Sequence, residues 1–123
     1  MEERVRDFLI RFKEAITEHS GVYLVNREST QATLAYLGLT KRHVEEILLD
    51  LSTEDYSQGP EPDRDRPGEV WVFGVSLEGL PREIYIKVKL VETGGGPLAK
   101  CLSFHIAKRP LAHPLRVPEG GTT

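Results

Sequence analysis

The segment EIYIKVKLV, residues 83–91, is the clearest indication of the fold, because apolar and polar side chains alternate along it. Successive side chains of a β-strand point to opposite faces, so this alternation predicts a strand with two unlike faces. One face is formed by the apolar residues Ile84, Ile86, Val88 and Leu90. The other face carries Tyr85, Lys87 and Lys89, and only the apolar face is expected to be buried.

Two further strands are predicted around this one. EVWVFGVSL (69–77) is rich in valine and aromatic residues and is apolar on both sides, which is typical of a central strand. AKCLSFHIA (99–107) alternates again. Its predicted core-facing residues are Leu102, Phe104 and Ile106, and its predicted outward-facing residues are Cys101, Ser103 and His105. Turns at 78–81 and 93–97 would join the three strands into an antiparallel meander.

The N-terminal half is predicted to be helical. Residues 2–19 carry apolar side chains at spacings of three and four, and Gly21 follows them. A short extended piece is expected at 22–25, a second helix from Ser29 or Thr30 to Leu37 with Gly38 ending it, and a third helix capped by Thr40. Helices before hairpin-linked strands indicate an α+β fold, with N-terminal helices packed on one face of an antiparallel β-meander.

The remaining segments of the chain are rich in proline and glycine. Residues 52–68 contain SQGPEPDRDRPG, which predicts a long loop without helix or strand. Beyond residue 109, prolines and a final GGTT predict a tail. We therefore expect one domain over 1–109 and a C-terminal tail over 110–123.

Composition restricts the possible location and cofactors. No apolar run reaches the ~20 residues that span a bilayer, and the acidic N-terminus lacks the features of a secretory signal, so we expect a cytoplasmic protein without membrane contact. The single cysteine excludes an internal disulfide and a CxxC site. The histidines lack metal-ligand spacing, so no metal and no other cofactor is expected.

The charge is unevenly distributed. The chain has a net charge of −3, but residues 1–81 hold 9 Lys/Arg and 16 Asp/Glu, a net of −7. Residues 82–109 hold 6 Lys/Arg and 2 Asp/Glu, a net of +4. A basic segment in an acidic chain can attract a polyanion locally. The alternative is that these lysines and arginines only keep exposed strands in solution.

The polar face of the predicted meander has the side chains that metal-free RNA cleavage requires. That reaction needs a base for the 2′-hydroxyl, an acid for the leaving 5′-oxygen and a cation for the phosphorane. His105 suits acid or base work near neutral pH, Lys87 supplies a cation, and Tyr85 can donate a hydrogen bond or stack on a base. The alternative is a solvent-facing strand with an incidental histidine. Cys101 is about 13 Å from His105 along the strand and cannot form a dyad with it.

Further residues are candidates for holding RNA. Lys89 and Ser103 share the polar face, and Arg64 and Arg66 of the long loop could bind phosphate unless they pair with the neighbouring aspartates. Trp71 would be a stacking platform on the open face, although a core position is the plainer interpretation. The predicted RNA-binding set is Lys89, Arg64, Arg66, Ser103 and Trp71.

Three segments together resemble the MqsR-type toxins, a family of RNA-cleaving bacterial toxins. They are LGLTKRHVEEILLDLSTEDY (37–56), EIYIKVKLV (83–91) and LSFHIAK (102–108), within a match from about residue 30 to 108. GPEPDRDRPGEVWVFG (59–74) is similar to a divergent branch of the same group.

The resemblance implies a compact RelE-like fold, metal-independent endoribonuclease activity on mRNA, and a cognate antitoxin protein that silences it. The family's tyrosine and lysine on the penultimate strand fall on Tyr85 and Lys87, and its basic residue on the last strand falls on His105. The chain departs from the family where a lysine would fall near Ser57 or Gln58. The competing hypothesis is a non-catalytic protein- or RNA-binding module. The oligomeric state is left open.

Overall fold

A computed structural model describes residues 1–19 and 21–117, which form an α+β domain. Helices are packed on a five-stranded sheet in the spatial order β1-β5-β4-β3-β2. The elements are α1 (Glu2–Glu18), β1 (Val22–Leu24), α2 (Glu28–Leu37), α3 (Lys41–Leu49), a 3₁₀ turn (Thr53–Asp55), β2 (Tyr56–Pro62), β3 (Glu69–Val75), β4 (Ile84–Thr93) and β5 (Gly96–Ile106). The α+β class and the antiparallel meander are confirmed. The short strand β1 adds a parallel partner to β5 at the sheet edge.

The helices follow the predicted stripes. In α1 the residues at spacings of three and four are all buried, and α1 lies against β4 and β5. Gly38 ends α2 in the left-handed conformation that glycine adopts without steric cost, with φ of 69°. Thr40 caps α3 by accepting the backbone N–H of His43. The second helix begins at Glu28, slightly before the predicted start.

The predicted loop over 52–68 is wrong in its first part. Residues 56–62 form β2, which pairs antiparallel with β3 at the sheet edge and includes two register shifts. An edge strand needs only one ladder of hydrogen bonds, so it tolerates prolines that a central strand would not. Gly59 is required by a close approach, because a Cβ there would lie 2.8 Å from the carbonyl oxygen of Val70. Only residues 63–68 remain a loop.

A β-bulge in β5 changes the sheet face to which some of its side chains point, so the predicted orientation of Cys101 and Leu102 is wrong. Lys87 pairs with Ser103, but the next residue, Val88, pairs with Cys101, which leaves Leu102 as an extra residue. The bulge places the fully buried Cys101 on the core side, while Leu102 lines a cleft on the polar face. The predicted positions of Ser103 and His105 are unaffected, because they lie beyond the bulge.

Part of the C-terminal segment packs against the domain. Nε2 of His113 lies 2.7 Å from a carboxylate oxygen of Glu83, and Nε of Arg116 donates to the carbonyl of Glu54 at 3.1 Å. Packing therefore continues past the predicted boundary at residue 109. Residues 118–123 of the predicted tail lie outside the described residues. In the described part of the chain, no helix is both long and apolar enough to cross a membrane.

Candidate functional site

The pairing of β4 with β5 brings the predicted catalytic side chains together. Tyr85 is the register partner of His105, and Lys87 is the register partner of Ser103. The rings of Tyr85 and His105 are stacked, with centroids 5.0 Å apart and planes inclined by 15°. These four residues, on the sheet face opposite the helices, are called the polar-face cluster below.

An open cleft of about 460 Å³ adjoins the polar-face cluster. Its lining comprises Arg27, Gln58, Glu61, Pro62, Asp63, Arg64, Asp65, Val70, Tyr85, Lys87 and Leu102. The basic members come from three different parts of the chain, namely the start of α2, the 63–68 loop and β4. The acidic members come from β2 and the loop. The cleft therefore combines cations with carboxylates and is not uniformly positive.

Arg27 lines the cleft, although no pattern in the sequence predicted this position. It is the N-terminal flanking residue of α2, and its Nη1 donates to Oγ of Ser103 at 3.4 Å. This contact joins residues 76 positions apart, and an isolated arginine between a short strand and a helix gives no local signal. Arg27 adds a second cation beside Lys87 at the polar-face cluster.

The environment of Tyr85 keeps its hydroxyl protonated. Burial raises the pKa of Tyr85 above its ordinary value, and the charge of Glu61 raises this pKa further, whereas Arg27 lowers it. The net direction is upward. Near neutral pH the Tyr85 hydroxyl is therefore a hydrogen-bond donor and not a base.

The backbone sets the tautomer of His105. Its Nδ1 lies 3.0 Å from the carbonyl oxygen of Ile106. A carbonyl oxygen only accepts, so the contact requires the proton on Nδ1 and leaves Nε2 of the neutral ring free to take a proton. Nε2 is thus the ring nitrogen of His105 that can exchange a proton with a ligand.

Lys89 does not contribute to the open face as predicted. Its side chain is 2% exposed, and its Nζ lies 2.7 Å from Oδ2 of Asp63 and 2.9 Å from the carbonyl oxygen of Pro67. The hydrogen bond from Lys89 holds the pKa of Asp63 at about 2, with a smaller contribution from the backbone N–H of Asp65. This ion pair fastens the 63–68 loop to the sheet, so Lys89 is unavailable to a ligand.

The remaining predicted RNA-binding residues are separated by the fold. Trp71 lies in the core, where its ring stacks on Phe8 with centroids 4.9 Å apart, so it is not a platform on the open face. Arg64 lines the cleft, whereas Arg66 is exposed and outside it. Ser103 belongs to the cluster but is buried beneath Arg27.

The described residues contain no group of three His, Cys, Asp or Glu side chains arranged to hold a metal ion. The groups at the site are an imidazole, a phenol and two cations, which together suit binding of a phosphodiester and proton transfer. The fold and the site thus define an α+β protein with a cluster of polar and ionisable side chains on its open sheet face. Comparison of the chain with protein-family models, curated proteins and solved structures found no match.

Proposed function

We propose that the protein is a metal-independent endoribonuclease that cleaves mRNA through attack of the 2′-hydroxyl on the adjacent phosphate. The observation that carries this proposal is the stacked pair of Tyr85 and His105 beside Lys87. An imidazole, a phenol and an ammonium group on one open surface provide the base, the donor and the cation that the reaction needs.

Each side chain has a role that follows from its environment. Nε2 of His105 takes the proton of the 2′-hydroxyl as the 2′-oxygen bonds to phosphorus. Lys87 and Arg27 offset the negative charge that grows on the phosphorane oxygens. The Tyr85 hydroxyl, kept protonated by its raised pKa, donates its proton to the departing 5′-oxygen. The products are a 2′,3′-cyclic phosphate and a 5′-hydroxyl, and the proton on His105 returns to Tyr85 through water.

The biological part of the proposal rests on the resemblance to MqsR-type toxins. In that interpretation the chain is the toxin of a type II toxin–antitoxin pair with a RelE-like fold, and a cognate antitoxin protein covers the site. Expression of the chain alone should then arrest growth, and co-expression of the antitoxin should relieve the arrest. The His105→Ala variant should be harmless at the same expression level.

The decisive experiment is a cleavage assay on single-stranded RNA in EDTA. Wild type should produce fragments with 2′,3′-cyclic phosphate ends, and His105→Ala should lower the rate by roughly 10²- to 10⁴-fold. Tyr85→Phe keeps the stacked ring and should lower the rate through loss of the hydroxyl alone. His19→Ala is the matched control, because His19 is an exposed histidine at the end of α1, outside the polar-face cluster.

Two outcomes would overturn the proposal. Cleavage at an unchanged rate in His105→Ala would remove His105 from the mechanism. Absence of product with wild type would favour the second candidate, a non-catalytic protein- or RNA-binding module. That candidate is favoured by Glu61 and Asp65, whose carboxylates line the same cleft as the cations. Salt-dependent RNA binding without product would identify it as an RNA-binding module.

A further inference from the structure

An exposed aromatic ring lies on the same sheet face as the polar-face cluster. Tyr23 of β1 is 54% exposed, and among the described residues only Tyr36 is a more exposed aromatic. Tyr23 is the register partner of Lys100, whose Nζ lies 5.5 Å from the centroid of the tyrosine ring. Tyr23 thus presents an exposed aromatic ring beside a cation, a combination on which a nucleobase can stack.

The register places Tyr23 on the polar face. Lys100 precedes Cys101, which faces the core, so Lys100 and its partner Tyr23 face the opposite side. Ser103 and His105 lie on this side further along β5. The exposed ring and the candidate catalytic residues therefore lie on the same face of the sheet, along β5.

The distance along this surface suits a short piece of single-stranded RNA. Lys100 and His105 are five residues apart with one residue bulged, which corresponds to about 13 Å along the strand. One strand of a duplex rises about 3.4 Å per nucleotide, and a strand with splayed bases is roughly twice as long. The separation thus corresponds to about two to four nucleotides.

We propose that Tyr23 and Lys100 form a base-stacking subsite for single-stranded RNA whose scissile phosphate lies at Tyr85 and His105. A base stacks on the Tyr23 ring, and Lys100 pairs with its phosphate. The intervening backbone passes Arg27 and Lys87, the two cations at the cluster. This inference rests on the proposed function and adds to it the substrate class, a single strand of at least three nucleotides.

Binding of a partner protein by addition of a strand at the β1 edge of the sheet is less well supported. The backbone N–H of Val22 already donates to Oε2 of Glu45 at 2.8 Å, so part of the hydrogen-bonding edge of β1 is occupied. Strand addition draws its affinity from such main-chain groups. The side chain of Tyr23, in contrast, is exposed on the sheet face beside Lys100.

The binding test uses a six-nucleotide 2′-O-methyl RNA, which cannot be cleaved by 2′-hydroxyl attack, with fluorescence anisotropy as the readout. Tyr23→Ala should weaken binding roughly 10-fold, because loss of one base-stacking contact with an aromatic side chain lowers the affinity by about this factor. Tyr23→Phe should bind like wild type. Tyr36→Ala is the matched control, since Tyr36 is 76% exposed on α2.

The cleavage test compares a dinucleotide with a hexanucleotide in EDTA. Tyr23→Ala should raise KM for the hexanucleotide without changing kcat, and should leave dinucleotide cleavage unchanged. Equal binding by Tyr23→Ala and wild type would overturn the subsite even if cleavage is observed. Weaker binding by Tyr23→Ala without any cleavage by wild type would support the subsite while refuting the proposed nuclease. Failure of wild type to bind the oligonucleotide would overturn both.

Discussion

The buried ion pair between Lys89 and Asp63 predicts an unequal response to removal of either partner. The ammonium group of Lys89 is almost completely inaccessible at 2% exposure, whereas the Asp63 side chain is 11% exposed on a loop. In Asp63→Ala the ammonium keeps only the carbonyl of Pro67 as a partner. In Lys89→Met the buried stem is replaced by an apolar chain, and the carboxylate left behind can turn toward water.

The burial of the two groups gives the expected magnitudes. Breaking a buried pair by removing one partner costs about 3–5 kcal/mol when the remaining charge stays buried, and we expect about 3 kcal/mol for Asp63→Ala. Lys89→Met should cost about 1 kcal/mol, because the remaining carboxylate is at the surface, where an ion pair contributes little. Asp65→Ala is the matched control, since Asp65 is an exposed carboxylate of the same loop, and it should be close to neutral.

The pKa of Asp63 adds a test with a defined sign. The folded value of about 2 lies below the ordinary 3.8, so the carboxylate stabilises the folded state above about pH 4, and this stabilisation is lost as the pH falls toward 2. At this position near the surface, screening reduces the contribution to about 1 kcal/mol. Asp63→Asn lacks this titration, so the difference in the free energy of unfolding from wild type should shrink between pH 4 and pH 2.

Urea unfolding at several pH values, followed by tryptophan fluorescence and circular dichroism, measures these differences. Equal destabilisation of the protein by Lys89→Met and Asp63→Ala would contradict the unequal burial of the two charges. If the difference in the free energy of unfolding between wild type and Asp63→Asn stayed constant from pH 5 to pH 2, the pKa of about 2 for Asp63 would be contradicted.

Two other predictions concern the tail and the cysteine. In Gly74→Val, a Cβ would lie 2.5 Å from a methyl group of Leu111 and 3.2 Å from Cε1 of His113. We therefore expect the tail to be displaced and tryptic cutting after Arg116 to accelerate, because Arg116 is held by the carbonyl of Glu54 in the wild type. An unchanged cutting rate would contradict this packing. Burial raises the pKa of Cys101 to about 12, so a thiol reagent at pH 8 should react slowly until urea unfolds the chain, and fast reaction with folded protein would contradict its burial.

The local patterns predicted most of the elements and part of the site. Alternation along β4 identified its two faces, and apolar spacing identified α1 and α3, because these periods follow directly from strand and helix geometry. The same alternation placed Tyr85 and Lys87 on one face. It failed for Cys101, since a bulge inserts one residue and reverses the facing of everything before it.

Residues that meet through distant contacts could not be predicted. Lys89 was expected to be open to RNA because it follows the same alternation as Lys87, but the 63–68 loop covers it and supplies Asp63. Arg27 reaches the cluster from the other end of the chain. Neither contact is predicted by a pattern in the local sequence.

Local sequence patterns were enough to predict the α+β class, the meander and the polar side chains that share a face with Tyr85, because each depends on neighbours in the chain. Which of these side chains are accessible depends on tertiary packing. Strand pairing stacks His105 on Tyr85, the loop buries Lys89, and the edge strand β1 leaves Tyr23 exposed. Pairing register and burial arise from contacts between distant segments, and side-chain periodicity along one segment carries no information about them.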